Sequence, residues 1–593
     1  MLKLLIYIIF YLCIYPKTYI NMSSERIFIT SAIPYVNGNP HCGNLIGSTL
    51  SADVYARFCR KKVGSSNVLF VCGTDEFGST TEQCAIQENL TCEQLCDKYR
   101  PQHERVYNFF NLSFDVFGRT PTETHRRLSQ QIFTSLYENG FLIEKITEQY
   151  FCENCDRFVC DRFIHGVCHY ENCRGTVKGD ECENCAKRVD LDLVQKKWCS
   201  VCKSTPVKKS TKHLYLKLDC FKEQITNYFL NENSTDKTGV KYMSGASTRI
   251  TKEWLNKDLD ERCCTRDLKF GVPVPILEGI DGYENKIIWP WWDALQSYIS
   301  MVQHDHPDSW QLWINDHTDW VAFMAKDNVF FHTVILPATL LGSGFQNLKC
   351  GITHLSATEY LLFNKQKFSK SDGIGIFGDQ CIAISEKFGI DEDYWRYYLL
   401  KIRPETSDST FDFESFCEVI KGELAQKIGN LMNRILAMSK KYYSKTVLRY
   451  DFTNFTDCHN SLKTIFENYI VAFDKFSYHE AIVLLNRVAE IGNEYINKNV
   501  VYNVCKEKPV ENEHVMGNLM FIAWLFSELA EPIMPKKSQR IKTNFCVSGA
   551  QVDVMTTFDT MREILENPIG TVTVNHDDMQ LLFKQIDPKD LLV

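Results

Sequence analysis

From residue 26 the chain reads RIFIT, a short run of β-type residues, and from Leu45 onward Leu45, Ile46, Leu50, Val54 and Phe58 recur at helical spacing. Between them lies PYVNGNPHCGN (34–44), crowded with proline, glycine and asparagine, so the pattern predicts a strand, a turn and a helix start. A second apolar run, NVLFVCGTDEFG (67–78), ends in the same kind of switch, with Asp75 and Glu76 at its edge, and predicts a second parallel strand. Strand-like and helical runs resume in NVFFHTVILPATLL (328–341) and GITHL (351–355), after a cysteine-rich segment. This order predicts an α/β fold whose Rossmann-like parallel sheet is split by inserted material.

From about residue 411 the period changes. Leu424, Ile428, Leu431 and Ile435 keep helical spacing, Asn430 and Arg434 stand four apart on another face, and strand signals are few, so a separate α-helical bundle is expected. No internal repeat and no long low-complexity tract interrupts this plan. The length of 593 residues agrees with roughly three or four domains of a soluble protein. A formal charge of −8 gives no global basic field, so any nucleic-acid surface must be local.

The first turn has the makings of a nucleotide seat. A helix that starts at the carboxyl edge of a parallel strand offers N–H groups and a positive dipole to phosphate. Gly43 removes bulk for close approach, and His41 and Asn44 supply hydrogen-bonding groups. An ordinary glycine turn with a surface histidine is the plainer alternative for these residues alone.

The 25 cysteines change the picture more than the charge does. Many fall in CxxC-like pairs within one short segment: Cys152 and Cys155, Cys168 and Cys173, Cys182 and Cys185, Cys199 and Cys202. Paired thiolates on tight turns suit tetrahedral Zn²⁺, and four pairs close up to two structural sites in a reducing compartment. The expected grouping is Cys152, Cys155, Cys199 and Cys202 around one ion, and Cys168, Cys173, Cys182 and Cys185 around the other. At the other end of the chain, Lys3 and the apolar stretch Leu4 to Tyr15 resemble a signal-peptide core. The run is short of the about 20 residues of a membrane span and no small-residue cleavage site follows, so residues 1–22 are expected to be a dispensable or untranslated extension.

Residues 365–378, KQKFSKSDGIGIFG, place Lys367 and Lys370 on either side of Ser369 in a glycine-rich loop suited to charge on a leaving pyrophosphate. Together with HCGN they resemble the two signatures of class I aminoacyl-tRNA synthetases. The further stretches AIPYVNGNPHCGN, GTDEFG, TRDLKFGVPVP (265–275), WWDALQSY (291–298) and FMAKDNVFFH (323–332), with the four-pair cysteine insertion, resemble the methionyl-tRNA synthetase family from about residue 26 to at least 505.

That resemblance implies ATP-dependent activation of methionine and its transfer to initiator and elongator methionine tRNA. It implies catalytic roles for His41, Asn44, Lys367 and Lys370, and ATP contacts at His41, Gly43, Asn44, Asp327, Lys367, Ser369 and Lys370. Ala32, Ile33, Tyr35, Asp75, Trp291, Ala294, Leu295, Tyr298, Phe331 and His332 match the methionine pocket, with Asp75 holding the ammonium. Arg266 lies in a matching motif beside the adenylate. Asn430, Arg434 and Tyr502 match the anticodon-reading region, Zn²⁺ and Mg²⁺ are the implied metals, and a cytoplasmic monomer is expected. Departures from the family pattern are Phe77 after TDE, Asp372 after KFSKS, Leu295 in the pocket and Tyr502 where a tryptophan is usual.

The expected division is an extension (1–22), a catalytic half (23–145), a zinc insertion (146–240), a second catalytic half (241–360), a lysine-loop and stem-contact region (361–410), a helical anticodon-binding domain (411–560) and a C-terminal extension (561–593). Three rival readings stand beside it: a catalytically silent RNA-binding protein on the same fold, a zinc-knuckle adaptor, and a class I synthetase for another amino acid.

Overall fold

A computed structural model describes residues 26–587 apart from 160–162, 180, 183, 186, 188, 231–239, 346–350, 369–372, 444–446, 500, 548–549, 551–554 and 577–579. The N-terminal segment 1–22, Ser369, Lys370 and Asp372 therefore lie outside the described residues, as does the side chain of Lys367.

Six parallel strands form the central sheet. They are β1 (Arg26–Ser31), β2 (Val68–Thr74), β3 (Val116–Arg119), β6 (Tyr242–Met243), β7 (Thr318–Ala325) and β8 (His354–Thr358), ordered β6-β8-β7-β1-β2-β3. Helices cover both faces, so every residue of β2 is buried, which is why VLFVCGT reads as a continuous apolar run rather than an alternation. The order reverses at β1, between β7 and β2, and crevices for ligands open outside the carboxyl ends at such a switch point. From β1 the chain enters one continuous helical stretch: a turn at Cys42–Asn44, a π-helical turn at Leu45–Thr49, then α1 (Leu50–Val63). α2 (Cys92–Phe109) and α3 (Glu123–Glu138) follow, and α4 (Pro290–Asp293) and α5 (Ser297–Asp305) precede β7.

The insertion between β3 and β6 is carried on a long antiparallel hairpin of β4 (Leu142–Cys152) and β5 (Val207–Leu216), in register from Leu142 opposite Leu216 to Phe151 opposite Val207. Small β-ribbons at its far end carry the cysteines.

After the sheet come α6 (Asn430–Tyr442), α7 (Thr456–Asp474), α8 (Tyr478–Lys498), α9 (Val501–Glu507), α10 (Glu513–Ala530) and α11 (Pro535–Asn544). Leu424, Ile428, Leu431 and Ile435 are all fully buried, as their spacing predicts. The pattern missed a three-stranded antiparallel sheet in which β11 (Ile569–Val574) runs between β9 (Val447–Asp451) and β10 (Phe545–Val547). Gly517 on α10 makes room for it, since a Cβ there would stand 2.0 Å from the Arg449 carbonyl oxygen. α1 is pinned to this helical region by ion pairs from Lys61 to Glu528 at 2.6 Å and to Glu531 at 3.0 Å and from Lys62 to Asp474 at 2.7 Å, and to the preceding helix Glu392–Lys401 by Asp53 to Arg396 at 2.8 Å. Burial opposes ionisation of Asp53, yet the Arg57 and Arg396 guanidiniums hold its carboxyl at about 2. No described helix is long and apolar enough to cross a membrane.

Candidate active site

At the carboxyl edge, β1 and β2 are prolonged by a single bridge between Tyr35 and Asp75, in which the Asp75 N–H donates to the Pro34 carbonyl at 2.9 Å. The turn that follows β1 ends in a reciprocal cap. The Asn44 N–H donates to His41 Nδ1 at 3.1 Å, and the His41 N–H donates to Asn44 Oδ1 at 3.3 Å. A neutral ring that accepts at Nδ1 carries its proton on Nε2, so His41 is a donor on its outer edge. The ring stacks on Phe368 with centroids 4.7 Å apart, and His41 bridges to Phe377. The HCGN turn and the chain on both sides of the lysine loop are thus in direct contact. A Cβ at Gly43 would press to 3.0 Å from the His41 ring, which is the local reason for glycine there.

Beside this turn lies a cleft of about 320 Å³, within the range of small-ligand sites. All ten residues expected in the methionine pocket line it, from Ala32 and Ile33 through Tyr35, Asp75, Trp291, Ala294, Leu295 and Tyr298 to Phe331 and His332. Gly43, Asn44 and Asp327 line it too. Seven lining residues escaped the sequence reading: Pro34, Gly47, Ser48, Thr49, Tyr107, Ala325 and Asn328. Gly47, Ser48 and Thr49 belong to the π-helical turn, which breaks the regular period used to assign faces. Arg266 is not among the lining residues; it donates to the carbonyls of Cys263 and Thr265 and lies 4.8 Å over the Trp289 ring.

Of the two carboxylates that line the cleft, Asp75 is buried and Asp327 exposed. Asp75 is 5% exposed, and its Oδ1 has no hydrogen-bond partner among the described residues. Burial first, and the neighbouring Asp293 second, push its carboxyl well above the usual range. Such an oxygen is suited to a cationic group entering from solvent. Trp291 and Phe331 line the cleft edge to face at 5.3 Å, with Trp289 packed against both and Trp291 still 49% exposed.

At the closed end, His332 Nδ1–H donates to the Asn328 carbonyl at 2.9 Å, so Nε2 accepts from the Tyr298 hydroxyl at 3.0 Å. Burial lowers the imidazole to about 4, so it is neutral at physiological pH. Behind the wall, His125 Nε2 faces Asp293 Oδ2 at 2.9 Å. Phe77 is fully buried, edge to face with Phe270 at 5.2 Å, and packs the core rather than facing substrate.

The eight cysteines of the insertion gather in the two sets read from their spacing, Cys152, Cys155, Cys199 and Cys202, and Cys168, Cys173, Cys182 and Cys185, with the sulfurs of each set all within 4.8 Å of one another. Ligands about 2.3 Å from a tetrahedral Zn²⁺ stand roughly 3.8 Å apart. Here Cys152 and Cys202 are 3.4 Å apart, Cys155 and Cys199 3.9 Å, Cys173 and Cys182 3.5 Å, and Cys168 and Cys185 4.0 Å, so both sets fit the ion. In the helical region Asn430 is exposed and Arg434 half-buried on α6, while Tyr502 on α9 is 48% exposed and accepts from Lys441 Nζ at 3.3 Å.

A parallel sheet with its cleft at the switch point, entered over a helix turn reading HCGN, is the architecture of a class I tRNA synthetase, and the family model described as tRNA synthetases class I (M) matches residues 27–436. The methionine–tRNA ligase of Acanthamoeba polyphaga mimivirus is 37% identical over 576 residues, covering 96% of this chain and 98% of its own. The chain belongs to the methionine–tRNA ligase family. The human cytoplasmic methionine–tRNA ligase is 36% identical over 565 residues, of which 93% of this chain but only 60% of the human chain is covered. In fold, the chain is similar to Mycobacterium tuberculosis methionyl-tRNA synthetase solved with methionyl-adenylate, at a TM-score of 0.71 and 18% identity over 94% of this chain and 99% of that one.

Proposed function

We propose that this protein activates methionine with ATP and charges methionine tRNA, initiator and elongator, at the 3′-terminal adenosine. The observation that carries the reading is the cleft itself: one unpartnered buried carboxylate, Asp75, in an apolar and aromatic wall that abuts the HCGN turn. Asp75 takes the substrate ammonium. The substrate carboxylate then attacks the α-phosphorus of ATP in line, an O–P bond forms, the bond to the β-phosphate breaks, and pyrophosphate leaves. In the second step a ribose hydroxyl of the tRNA attacks the acyl carbon and AMP departs.

Such a reaction asks mainly for positioning and for stabilisation of phosphate charge. His41 Nε2–H and the Asn44 amide face the phosphates, Gly43 lets the nucleotide approach the backbone, and Asp327 lines the nucleotide side. Lys367, Ser369 and Lys370 act on the departing pyrophosphate, and Mg²⁺ would accompany the phosphates of ATP. An unbranched thioether packs well against ring edges, and Trp291, Phe331 and Tyr298 provide them. The neutral His332, held by Asn328 and Tyr298, leaves no full charge at the closed end to favour a charged side chain.

Zn²⁺ held by the two cysteine sets orders the insertion; four thiolates leave no open position for chemistry. Asn430, Arg434 and Tyr502 face the anticodon, whose unpaired bases are read by stacking and edge hydrogen bonds. The thiol-rich metal sites suit the cytoplasm, and a monomer suffices because one chain lines the whole cleft. Amino-acid-dependent ATP–pyrophosphate exchange, screened over all twenty amino acids and followed by tRNA charging, tests the reading. Exchange with methionine alone is expected; exchange with another amino acid instead, or with none, overturns it.

A further inference from the structure

The loop that leads into the HCGN turn beside the cleft is supported on two sides. On one side, the segment after the lysine loop holds it through backbone contacts: the Gly378 N–H donates to the Pro40 carbonyl at 2.9 Å, and the Cys42 N–H donates to the Ile376 carbonyl at 3.0 Å. On the other side α2 contributes a side chain. His103 is fully buried, and its Nε2 stands 2.8 Å from the carbonyl oxygen of Gly38. A carbonyl only accepts, so the ring carries its proton on Nε2, and Nδ1 accepts from the Tyr107 hydroxyl at 3.3 Å. Tyr107 in turn lines the cleft.

Gly38 has a φ of +149°, a backbone conformation that side-chain-bearing residues rarely adopt. Conformations of this kind persist where the surroundings hold them and collect at functional sites. Gly38 lies three residues before His41, so its peptide plane sets the direction in which the chain enters the HCGN turn. Among the described residues of α2, His103 is the group that bonds this peptide.

We infer that His103 is a positioning residue for the nucleotide turn: its Nε2–H fixes the Gly38 carbonyl, and through it the placement of His41 and Asn44 against ATP. The inference rests on the activity proposed above for what the positioning serves, and on the hydrogen bond for its existence. It predicts a larger loss in the chemical step than in methionine binding, because Asp75 and the rings of Trp291, Tyr298 and Phe331 stand on other elements.

The experiment compares His103→Leu, His103→Asn and His103→Gln with the wild-type chain. Gln reaches with its amide nitrogen to about where Nε2 stands, whereas Asn is too short. In methionine-dependent ATP–pyrophosphate exchange, kcat is expected to fall about tenfold to a hundredfold in the Leu and Asn variants, the scale that misplacement of reacting groups produces. KM for methionine should stay within about threefold, and Gln should recover most of kcat. Amide hydrogen exchange over residues 36–44 should quicken in Leu and Asn and return towards wild type in Gln. Unchanged kcat in Leu and Asn, or a Gln variant no better than Asn, overturns the inference. If wild type itself fails to exchange with methionine, the proposed activity falls, while amide exchange over 36–44 still decides whether His103 holds the loop.

Discussion

The cleft and the two cysteine sets belong to one chain, the cysteines in a segment inserted between the residues that build the cleft, and the two regions are equipped for different ligands. Each cysteine set presents four thiols within 4.8 Å of one another, a complete ligand shell for one ion. The cleft leaves groups unpaired: Asp75 Oδ1 and Thr49 Oγ1 are buried with no partner among the described residues. A buried polar atom without a partner costs stability, and where it borders a cavity a ligand can complete its bonding. One region gathers ligands for an ion; the other leaves polar atoms open towards a cavity.

The sharpest way to break this contrast is to remove metal. Chelation, or Cys152→Ser, should unfold the insertion, since structural zinc supplies on the order of 10 kcal/mol of binding free energy to small domains. Elemental analysis should find two zinc ions per chain, and limited proteolysis of the stripped protein should cut within 146–216. Intact, protease-resistant apo-protein would mean that the cysteine sets are not struts.

Asp75→Asn should do the reverse. KM for methionine in ATP–pyrophosphate exchange should rise about a hundredfold, the roughly 2–3 kcal/mol of a lost charged hydrogen bond, while the melting temperature stays level or rises. A falling melting temperature with unchanged KM would make Asp75 structural.

Next in size is a pH effect. Burial, and after it Asp293, raise the Asp75 carboxyl, and a protonated carboxyl cannot pair with an ammonium. KM for methionine should therefore increase as pH falls through that raised value, and the increase should move to lower pH in Asp293→Asn. The smallest expected change is in Tyr298→Phe, which removes the donor to His332 Nε2. About 1 kcal/mol, or roughly fivefold in KM, is the scale of one neutral hydrogen bond, with no new pH dependence above about 5, because His332 titrates near 4.

Parts of this were legible in the chain because short-range physics decides them. The strand, turn and helix of residues 26–63 show in apolar periodicity and turn residues, and CxxC spacing is itself the geometry of a metal ligand pair. Trp291, Phe331 and Tyr298 were different: their types suit any core, and only motif context marked them as a pocket. Thr49 and Ser48 were invisible because a π-helical turn rotates them off the face that a regular helix predicts. β11 was hidden for another reason. Six residues with Gly570 inside and alternate positions exposed make a weak strand by propensity, and the pairing with β9 and β10 that forms it is tertiary. His103 carries no motif, and only the 2.8 Å contact with Gly38 singles it out.

The interrupted sheet also sets a timetable for synthesis. The Trp320 indole on β7 donates to the Thr30 hydroxyl on β1, across 290 residues of chain. At about 5–20 residues per second on a ribosome, β1 waits roughly 15–60 s for its neighbour to emerge. Through that interval β1, β2 and β3 present an open apolar edge, while the insertion already has all eight cysteines that would close it on metal. Nascent chains arrested between residues 216 and 318 should bind chaperones through the first strands and not through the knuckles.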